Sequence, residues 1–306
     1  MSDPVRISGF SFVRNAVSLD YPLEESLRSI LPVVDELVVA VARSSGERDD
    51  GTRAVVEGLD DGRVRIVDAV WDDTRRQEIY ADLTNAALER CTGDWCLYIQ
   101  ADEVVHEDDL PRIRARAEAL QADRRVEGLL FDYLHFFGDY DHLQTGHGWY
   151  QREIRMIRNG VGIRSVRDAQ SFRYPDQTRL TVAHSGARIF HYGWVRHPAR
   201  MQAKVREFWS HRKSPREVET EFGRAERFDY GPLGRLPRFT GTHPAVMRER
   251  IGAMDWADML READPPGVER TQIHKDERLK HRALSAISRW TGIDLNHTNH
   301  GKVLDV

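Results

Sequence analysis

Cysteine and long apolar runs are both scarce in this sequence of 306 residues. Its two cysteines, Cys91 and Cys96, are too few for a disulfide framework or for a zinc site made of four thiolates. No apolar stretch approaches the length needed to span a bilayer. The first residues, Met1 to Arg6, lack the apolar core of a signal peptide. These absences predict a cytoplasmic protein with no transmembrane segment.

An excess of positive charge is also missing. The formal net charge is −4, although charged residues make up 31% of the chain. Nothing in this balance predicts a nucleic-acid partner. The length is sufficient for one large domain or two, with a sizeable buried core.

Two phosphate-binding motifs are absent. The segment from Gly9 to Asn15 occupies the place where a dinucleotide-binding protein carries Gly-x-Gly-x-x-Gly, and no Gly-x-x-x-x-Gly-Lys-Ser/Thr occurs. Enzymes with those motifs bind phosphate through backbone N–H groups at a helix N-terminus. A diphosphate bound here would therefore need another source of positive charge, such as a metal ion.

The first hundred residues show a regular alternation of strand and helix patterns. Strands are predicted at 6–13, 37–42 and 64–67 and in a run that ends at Gln100, with helices starting near Pro22, Thr52 and Asp73. Thr52 is predicted to cap its helix, and Asp73 or Thr74 to cap the next one. The order β-α-β-α-β-α-β predicts a parallel, doubly wound sheet with right-handed crossovers.

Acidic residues follow the fourth of these strands. Asp102 and Glu103 come directly after its apolar run, and Asp108 and Asp109 follow. Ligands of open α/β sheets bind beyond the carboxyl ends of the strands, and carboxylates are suitable ligands for Mg²⁺ or Mn²⁺. The cluster therefore predicts a metal site, with an ordinary acidic surface loop as the alternative.

Four segments together resemble the family 2 glycosyltransferases, which have the GT-A fold. They are Asp50-Gly51-Thr52, Asn85-Ala86-Ala87-Leu88, Gly93-Asp94-Trp95 and Ala101-Asp102-Glu103. The resemblance covers the first third of the chain closely and the next third loosely. It implies a Rossmann-like, mostly parallel sheet flanked by helices. It also implies transfer of a sugar from a nucleotide diphosphate-sugar to a carbohydrate or other hydroxyl-bearing acceptor, with inversion and with Mn²⁺ or Mg²⁺ as cofactor.

The resemblance also implies roles for individual residues. Asp102 and His191 are expected to bind the metal, with Glu103 as a further ligand, and Asp168 is expected to be the catalytic base. The residues expected to bind the nucleotide-sugar are Phe12, Arg14, Asn15, Asp50, Gln100, Ala101 and Asp102. For Asp168 the alternatives are a turn residue or a partner of Arg167, and for His191 the alternative is an ordinary packed histidine.

The sequence departs from the family pattern at two places. Gln100 stands where the family's Asp-x-Asp motif has its first Asp, while Asp102 keeps the second. The second strand ends in Val41-Ala42-Arg43, where many relatives carry an Asp that binds the nucleobase, so Asp49 or Asp50 is the candidate for that role. The identity of the nucleotide is left open.

The domain division predicted is 1–198 for the glycosyltransferase domain, with a donor half at 1–105 and an acceptor half at 106–198. Residues 199–306 are predicted to form a helical and loop extension packed on it. Within this extension a basic amphipathic helix is predicted at 199–213 and a last helix at 269–290, closed by Gly292. The first of these helices either packs on the core or lies on an anionic membrane as a peripheral contact; core packing is favoured.

Two other functions remain open. A protein of this fold can bind a nucleotide-sugar without transferring it, and Gln100 would then mark a decayed site. A sugar nucleotidyltransferase is the less favoured alternative, because such enzymes usually carry a glycine-rich loop with Lys or Arg after the first strand, which the segment from Gly9 to Asn15 matches poorly.

Overall fold

A central β-sheet organises the protein. The computed structural model describes residues 4–222, 225–267, 270, 274, 277–291, 296 and 298–306. Within these residues nine strands form one sheet and two further strands form a small separate sheet. The strands are β1 Ile7–Val13, β2 Glu36–Arg43, β3 Val64–Val70, β4 Trp95–Tyr98, β5 Glu103–Val105, β6 Gly128–Phe137, β7 Arg152–Arg158, β8 Arg164–Val166, β9 Ser171–Arg173, β10 Val182–Trp194 and β11 Val303–Leu304.

The strand order confirms the predicted α/β class with a mostly parallel sheet. The order is β11-β10-β6-β7-β4-β1-β2-β3, and β5 pairs with β10 beside this path. The pairs among β1, β2, β3 and β4 are parallel, as are those of β10 with β6 and β11. β7 runs antiparallel to both β4 and β6, which breaks the all-parallel pattern of the first hundred residues.

Helices cover both faces of the sheet. They are α1 Leu23–Ile30, α2 Thr52–Glu57, α3 Ile79–Leu88, α4 Leu110–Leu120, α5 Pro198–Ser210, α6 Pro215–Phe222, α7 Arg248–Gly252 and α8 Leu279–Thr291. Alternate residues of β2 pack on opposite sides, as the two-residue period of a strand requires. Val39 packs on the face covered by α1 and α4, and Val38 packs on the face covered by α3. β2 is therefore apolar from Leu37 to Ala42 because it is buried from both sides.

Two predicted helix caps are wrong. The residue before α2 is Gly51, with a φ of 99°, and Thr52 instead accepts a hydrogen bond from the Ala16 N–H at 2.8 Å. Ahead of α3, Asp72 accepts from the Thr74 N–H and caps a short 3₁₀ turn. Before α2 the Asp50 carboxylate accepts from the Thr52 N–H, so in both places an Asp ahead of the predicted cap makes the local bond.

The last predicted helix, 269–290, differs from the helix that the structure contains. α8 begins at Leu279. The residues 268–269, 271–273 and 275–276, together with Gly292, lie outside the described residues. Among the described helices, none is long and apolar enough to cross a membrane.

Residues beyond position 198 pack against the sheet. Met247 and Trp256 are buried with Val104 and Phe136 in one apolar cluster. Met201, on α5, is buried with Phe137 in another. The helix predicted at 199–213 thus has the favoured, core-packed arrangement.

Gly93 permits a close approach of two backbone segments, and its replacement tests that approach. A Cβ at this position would lie 2.8 Å from the Arg6 carbonyl oxygen and 2.8 Å from the Ser8 nitrogen. Because backbone atoms must shift to admit it, Gly93→Ala is expected to lower the free energy of unfolding by about 1–3 kcal/mol.

The measurement is urea unfolding followed by circular dichroism. Gly62→Ala is the matched control, because a Cβ at Gly62 meets nothing within 4 Å. Its effect is expected to stay within about 0.5 kcal/mol. Equal stability of the two variants would contradict the expectation.

Candidate active site

A cavity of 470 Å³ opens at the carboxyl ends of the central strands. Its lining includes Phe12 at the end of β1, Gln100 and Asp102 after β4, and His191 near the end of β10. α5 forms an opposite wall with Met201 among its residues. The cavity is therefore at the edge where an open α/β sheet presents its ligands.

A buried ion pair fixes the acidic turn beside this cavity. Arg155 donates to both carboxylate oxygens of Glu103, at 2.9 and 2.8 Å, and both side chains have no exposed surface. Glu103 also accepts from the Tyr133 hydroxyl at 2.7 Å and from the Gln100 N–H at 3.1 Å. With its oxygens engaged in this way, Glu103 braces the turn that carries Asp102.

His191 is brought to the cavity by a different strand from the one that precedes Asp102. It lies in β10, between Glu103 of β5 and His135 of β6 in strand register. Its Nε2 atom is 3.8 Å from Asp102 Oδ2. Strand pairing thus brings a carboxylate and an imidazole that are 89 positions apart to the same point (residues 102 and 191).

Hydrogen bonds fix the tautomer of His191. Burial lowers the pKa of His135 to about 4 and also lowers that of His191, against the opposing effect of Asp102, so both rings are neutral near pH 7. His135 Nε2 lies 2.7 Å from the Tyr150 carbonyl oxygen and must donate to it, because a carbonyl only accepts. His135 Nδ1 is then an acceptor, and His191 Nδ1, 2.9 Å away, is its donor. His191 Nε2, which lies 3.8 Å from Asp102 Oδ2, consequently carries a lone pair.

A lysine contacts the same carboxylate. Lys204 of α5 donates to Asp102 Oδ2 at 3.0 Å and to the Gly193 carbonyl at 2.7 Å, and its ammonium lies 4.9 Å from the centre of the Tyr21 ring. Burial disfavours ionisation of Asp102, but the positive charges beside it, chiefly that of Lys204 with Arg196 farther on, outweigh it, so the pKa of Asp102 lies below its ordinary value. Burial, together with Arg196, lowers the pKa of Lys204 to about 8.

The donor atoms around Asp102 fit a divalent cation. A carboxylate oxygen and an imidazole lone pair are suitable ligands for Mn²⁺ or Mg²⁺. A Cβ on Gly193 would lie 2.4 Å from His191 Nε2 and 2.8 Å from Asp102 Oδ2, so the space between these ligands is open only because residue 193 is glycine. No group of three or more His, Cys, Asp or Glu side chains in the described part of the chain is placed to hold a metal. Asp102 and His191 would therefore hold the ion with help from substrate oxygens and water.

α5 pairs with other charged residues of the cavity as well. Glu207 accepts from Arg14 at 2.9 Å, and Arg212, just beyond the helix, lies 3.4 Å from Asp168. Together with Lys204, α5 and the residues directly after it therefore compensate three charged residues that line the cavity.

Aromatic side chains provide much of the remaining surface. Phe12 and Tyr80 pack edge to face at 5.8 Å, and Trp71 packs against Tyr80 at 5.5 Å. The Arg14 guanidinium lies 4.4 Å from the centre of the Trp71 ring. Flat aromatic faces with a cation beside them suit a planar, polar ring such as a nucleobase.

Most of the residues predicted for the site line one cavity. They are Phe12, Arg14, Gln100, Ala101, Asp102, Asp168 and His191. Asn15, Asp50 and Glu103 are not among the lining residues. The Asn15 amide donates to Glu47 at 3.2 Å, and the Asp50 carboxylate accepts from the Ser18 and Thr52 N–H groups. Asp50 thus joins its own loop to the segment that follows β1.

Gln100 makes local contacts at the cavity. Its side-chain amide donates to the Ala169 carbonyl at 3.3 Å, next to Asp168. The main-chain carbonyl of Gln100 accepts a hydrogen bond from the Ser26 hydroxyl at 2.8 Å. Gln100 therefore links the turn after β4 to the segment that carries Asp168.

Sequence reasoning missed one histidine and three charged residues of the site. They are His135, Lys204, Glu207 and Arg212. The last three recur on one side of the helix predicted at 199–213, with spacings of three and five. The recurrence of positive and negative side chains on one side of the helix indicates that this side faces residues of both charges.

Comparison with known proteins gives partial structural likenesses. No protein-family model matches the sequence, and no curated protein matches it. A crystal structure of S. aureus TarS 1–349 in complex with UDP aligns over 43% of this chain and 36% of that chain, at 17% identity and a TM-score of 0.31.

Two further solved structures align in the same way. Glucosyl-3-phosphoglycerate synthase from Mycobacterium tuberculosis, with Mn²⁺, UDP and phosphoglyceric acid, aligns over 43% of both chains at 19% identity and a TM-score of 0.30. The mannosyltransferase PcManGT from Pyrobaculum calidifontis, with GDP-Man and Mn²⁺, aligns over 44% of this chain and 37% of that chain, at 23% identity and a TM-score of 0.32. The chain thus spans less than half the length of each of these three proteins.

The ion pair beneath the site can be tested by removing one charge. Glu103→Gln leaves Arg155 buried without a counter-charge, so it is expected to lower the free energy of unfolding by about 3–5 kcal/mol. Urea unfolding of the variant and the unchanged protein gives the difference.

Asp132→Asn is the matched control, because Asp132 pairs with Arg152 at 2.7 Å with both side chains about half exposed. Loss of an exposed pair is expected to cost about 0–1 kcal/mol. A loss for Glu103→Gln no larger than this would contradict the bracing role of the buried pair.

Proposed function

We propose that this protein transfers a sugar from a nucleotide diphosphate-sugar to an acceptor hydroxyl. The observation that carries the proposal is the convergence of the Asp102 carboxylate and the His191 Nε2 lone pair on one point of the cavity. Beside that point lie an aromatic wall and a further carboxylate, Asp168. In this proposal the diphosphate lies at the point between Asp102 and His191, the nucleobase lies on the aromatic wall, and Asp168 faces the attacking hydroxyl.

The donor is proposed to lie along the wall formed by β1, β4 and α5. Its nucleobase packs on Phe12, Trp71 and Tyr80, and its diphosphate lies near Asp102 and Lys204. A Mn²⁺ or Mg²⁺ ion held by Asp102 and His191 would neutralise the charge that develops on the departing nucleoside diphosphate. Lys204 contributes a second positive charge at the same end of the cavity.

Asp168 is proposed to be the base. Its side chain is 42% exposed and faces Arg212 across 3.4 Å. As the acceptor oxygen bonds to the anomeric carbon, the bond from that carbon to the diphosphate oxygen breaks, and Asp168 takes the hydroxyl proton. Attack opposite the leaving group inverts the anomeric centre.

Donor binding provides the first test. In the presence of Mn²⁺, one class among UDP-, GDP- and dTDP-sugars is expected to raise the melting temperature, and EDTA is expected to abolish the shift. Asp102→Asn is expected to lose the shift because it removes the charged ligand. Each variant is compared with its own melting temperature without ligand, because Asp102 also pairs with Lys204.

Asp108→Asn is the matched control, since the Asp108 side chain is 72% exposed and is not among the cavity-lining residues. It is expected to keep the full shift. A shift that survives EDTA and Asp102→Asn would contradict the metal site. No shift with any donor would contradict the function, and donor binding without sugar transfer or release would favour the non-catalytic alternative.

The proposed base has a separate test in kinetics. Asp168→Asn is expected to lower kcat by about 10²–10⁴-fold while leaving the affinity for the donor unchanged. Asp176→Asn is the control, because Asp176 lies in an exposed turn where its carboxylate accepts from the Thr178 N–H at 2.9 Å. NMR of the product gives the anomeric configuration, and a kcat unchanged by Asp168→Asn would remove this residue from the mechanism.

A further inference from the structure

α8 is oriented with its polar side toward the protein. The His281 ring donates to the His147 carbonyl at 3.2 Å, and the His147 N–H donates to the Ser285 hydroxyl at 2.7 Å. At 100° per residue, positions 281, 284, 285 and 288 lie on one side of the helix, and each is partly buried. Two of these four positions are serine, one is histidine and the fourth is Leu284.

The opposite side of α8 is apolar and exposed. Leu279 is 81% exposed, Ile287 48% and Trp290 88%. Ala283 and Ala286 are exposed on the same side. An amphipathic helix in a soluble protein normally turns its apolar side inward. α8 has the reverse orientation, and its exposed apolar stripe extends over three turns.

Basic residues flank this stripe. On the helical projection Arg282 lies along one edge and Lys280 along the other, Arg278 directly precedes the helix, and all three are exposed. The sequence from Leu279 to Thr291 contains no Asp or Glu, although the whole chain has a net charge of −4. An apolar stripe ending in tryptophan and bordered by Lys and Arg is the pattern of a helix that lies in an anionic membrane interface.

We propose that the apolar stripe of α8, formed by Leu279, Ala283, Ala286, Ile287 and Trp290, inserts into the surface of a membrane containing anionic lipids. The flanking Arg278, Lys280 and Arg282 contact the lipid head groups. This inference rests on the orientation of α8 and does not depend on the proposed function.

The attachment point of α8 connects the membrane contact to the cavity. His147, to which the helix is bonded, is followed by Gly148 and Trp149, and both line the cavity. Asn296, beyond the helix, accepts from the Gly148 N–H at 2.7 Å and donates to the Trp149 carbonyl at 3.0 Å. A membrane-bound α8 therefore holds this side of the cavity close to the bilayer, where a lipid-linked acceptor would be presented.

The experiment is co-sedimentation of the full chain with two kinds of vesicle. Vesicles of mixed phosphatidylglycerol and phosphatidylcholine are expected to bind the protein, whereas vesicles of phosphatidylcholine alone bind it weakly. The double variant Ile287→Ser/Trp290→Ser is expected to lower the partition coefficient by about tenfold or more. Val161→Ser is the matched control for loss of an exposed apolar side chain, since Val161 is 40% exposed elsewhere, and it is expected to bind like the unchanged protein.

A second variant separates charge from apolar contact and leaves the apolar stripe intact. Replacement of Arg278, Lys280 and Arg282 by Gln is expected to weaken binding to the anionic vesicles by about fivefold for each charge removed. Circular dichroism melting curves establish that the variants are folded.

Three results would overturn the proposal. The first is a lack of binding to anionic vesicles by the unchanged protein. The second is equal binding by the unchanged protein and Ile287→Ser/Trp290→Ser. The third is that the unchanged protein binds no vesicles but self-associates in light scattering, and that the double variant abolishes this self-association. A second copy of the chain would then cover the stripe.

Discussion

The buried pair of Glu103 and Arg155 fixes the positions of two acidic residues that line the cavity. Glu103 is bonded to the main chain of Gln100 and to the Tyr133 hydroxyl, and Arg155 also donates to the Gln170 carbonyl at 2.8 Å. The turn after β4 and the segment before β9 are thereby attached to the same pair. Because a buried charge without its partner is costly, neither segment can move far while the pair is intact. Asp102 and Asp168, which lie on those two segments, keep a fixed separation across the cavity.

The α5 helix also organises the site, because its side chains pair with charged residues that line the cavity. The pairs of Lys204 with Asp102 and of Glu207 with Arg14 lie on this single helix. Each would otherwise be an unpaired charged group facing a largely apolar cavity, which is unfavourable. The same helix also supplies Met201 to the apolar core. A ligand that binds between β1 and α5 must therefore offer charges that replace these pairs, and a diphosphate with a divalent cation carries both signs.

Sequence reasoning was most successful where a local pattern determines the structure. The strands were predicted because buried parallel strands are apolar throughout, and Asp102 was placed at the cavity because residues after such strands lie at the sheet edge. The role of Glu103 could not be obtained in this way. It follows the same strand as Asp102, and only Arg155, 52 positions away, distinguishes a bracing carboxylate from a ligand. Lys204 was missed for a similar reason, because its contact depends on how α5 crosses the strand ends and not on the helix pattern itself.

The hydrogen bond between His135 and the Tyr150 carbonyl has a consequence for mutational studies. The proton arrangement of two buried rings depends on a main-chain oxygen, which every amino acid provides at position 150. Replacing the Tyr150 side chain leaves that acceptor in place, so a scan of single substitutions, or a comparison of related sequences, would assign residue 150 no part in setting the lone pair on His191. The path of the backbone sets the position of this carbonyl. Insertions or deletions between Gly146 and Tyr150 would therefore disturb the hydrogen bond from His135.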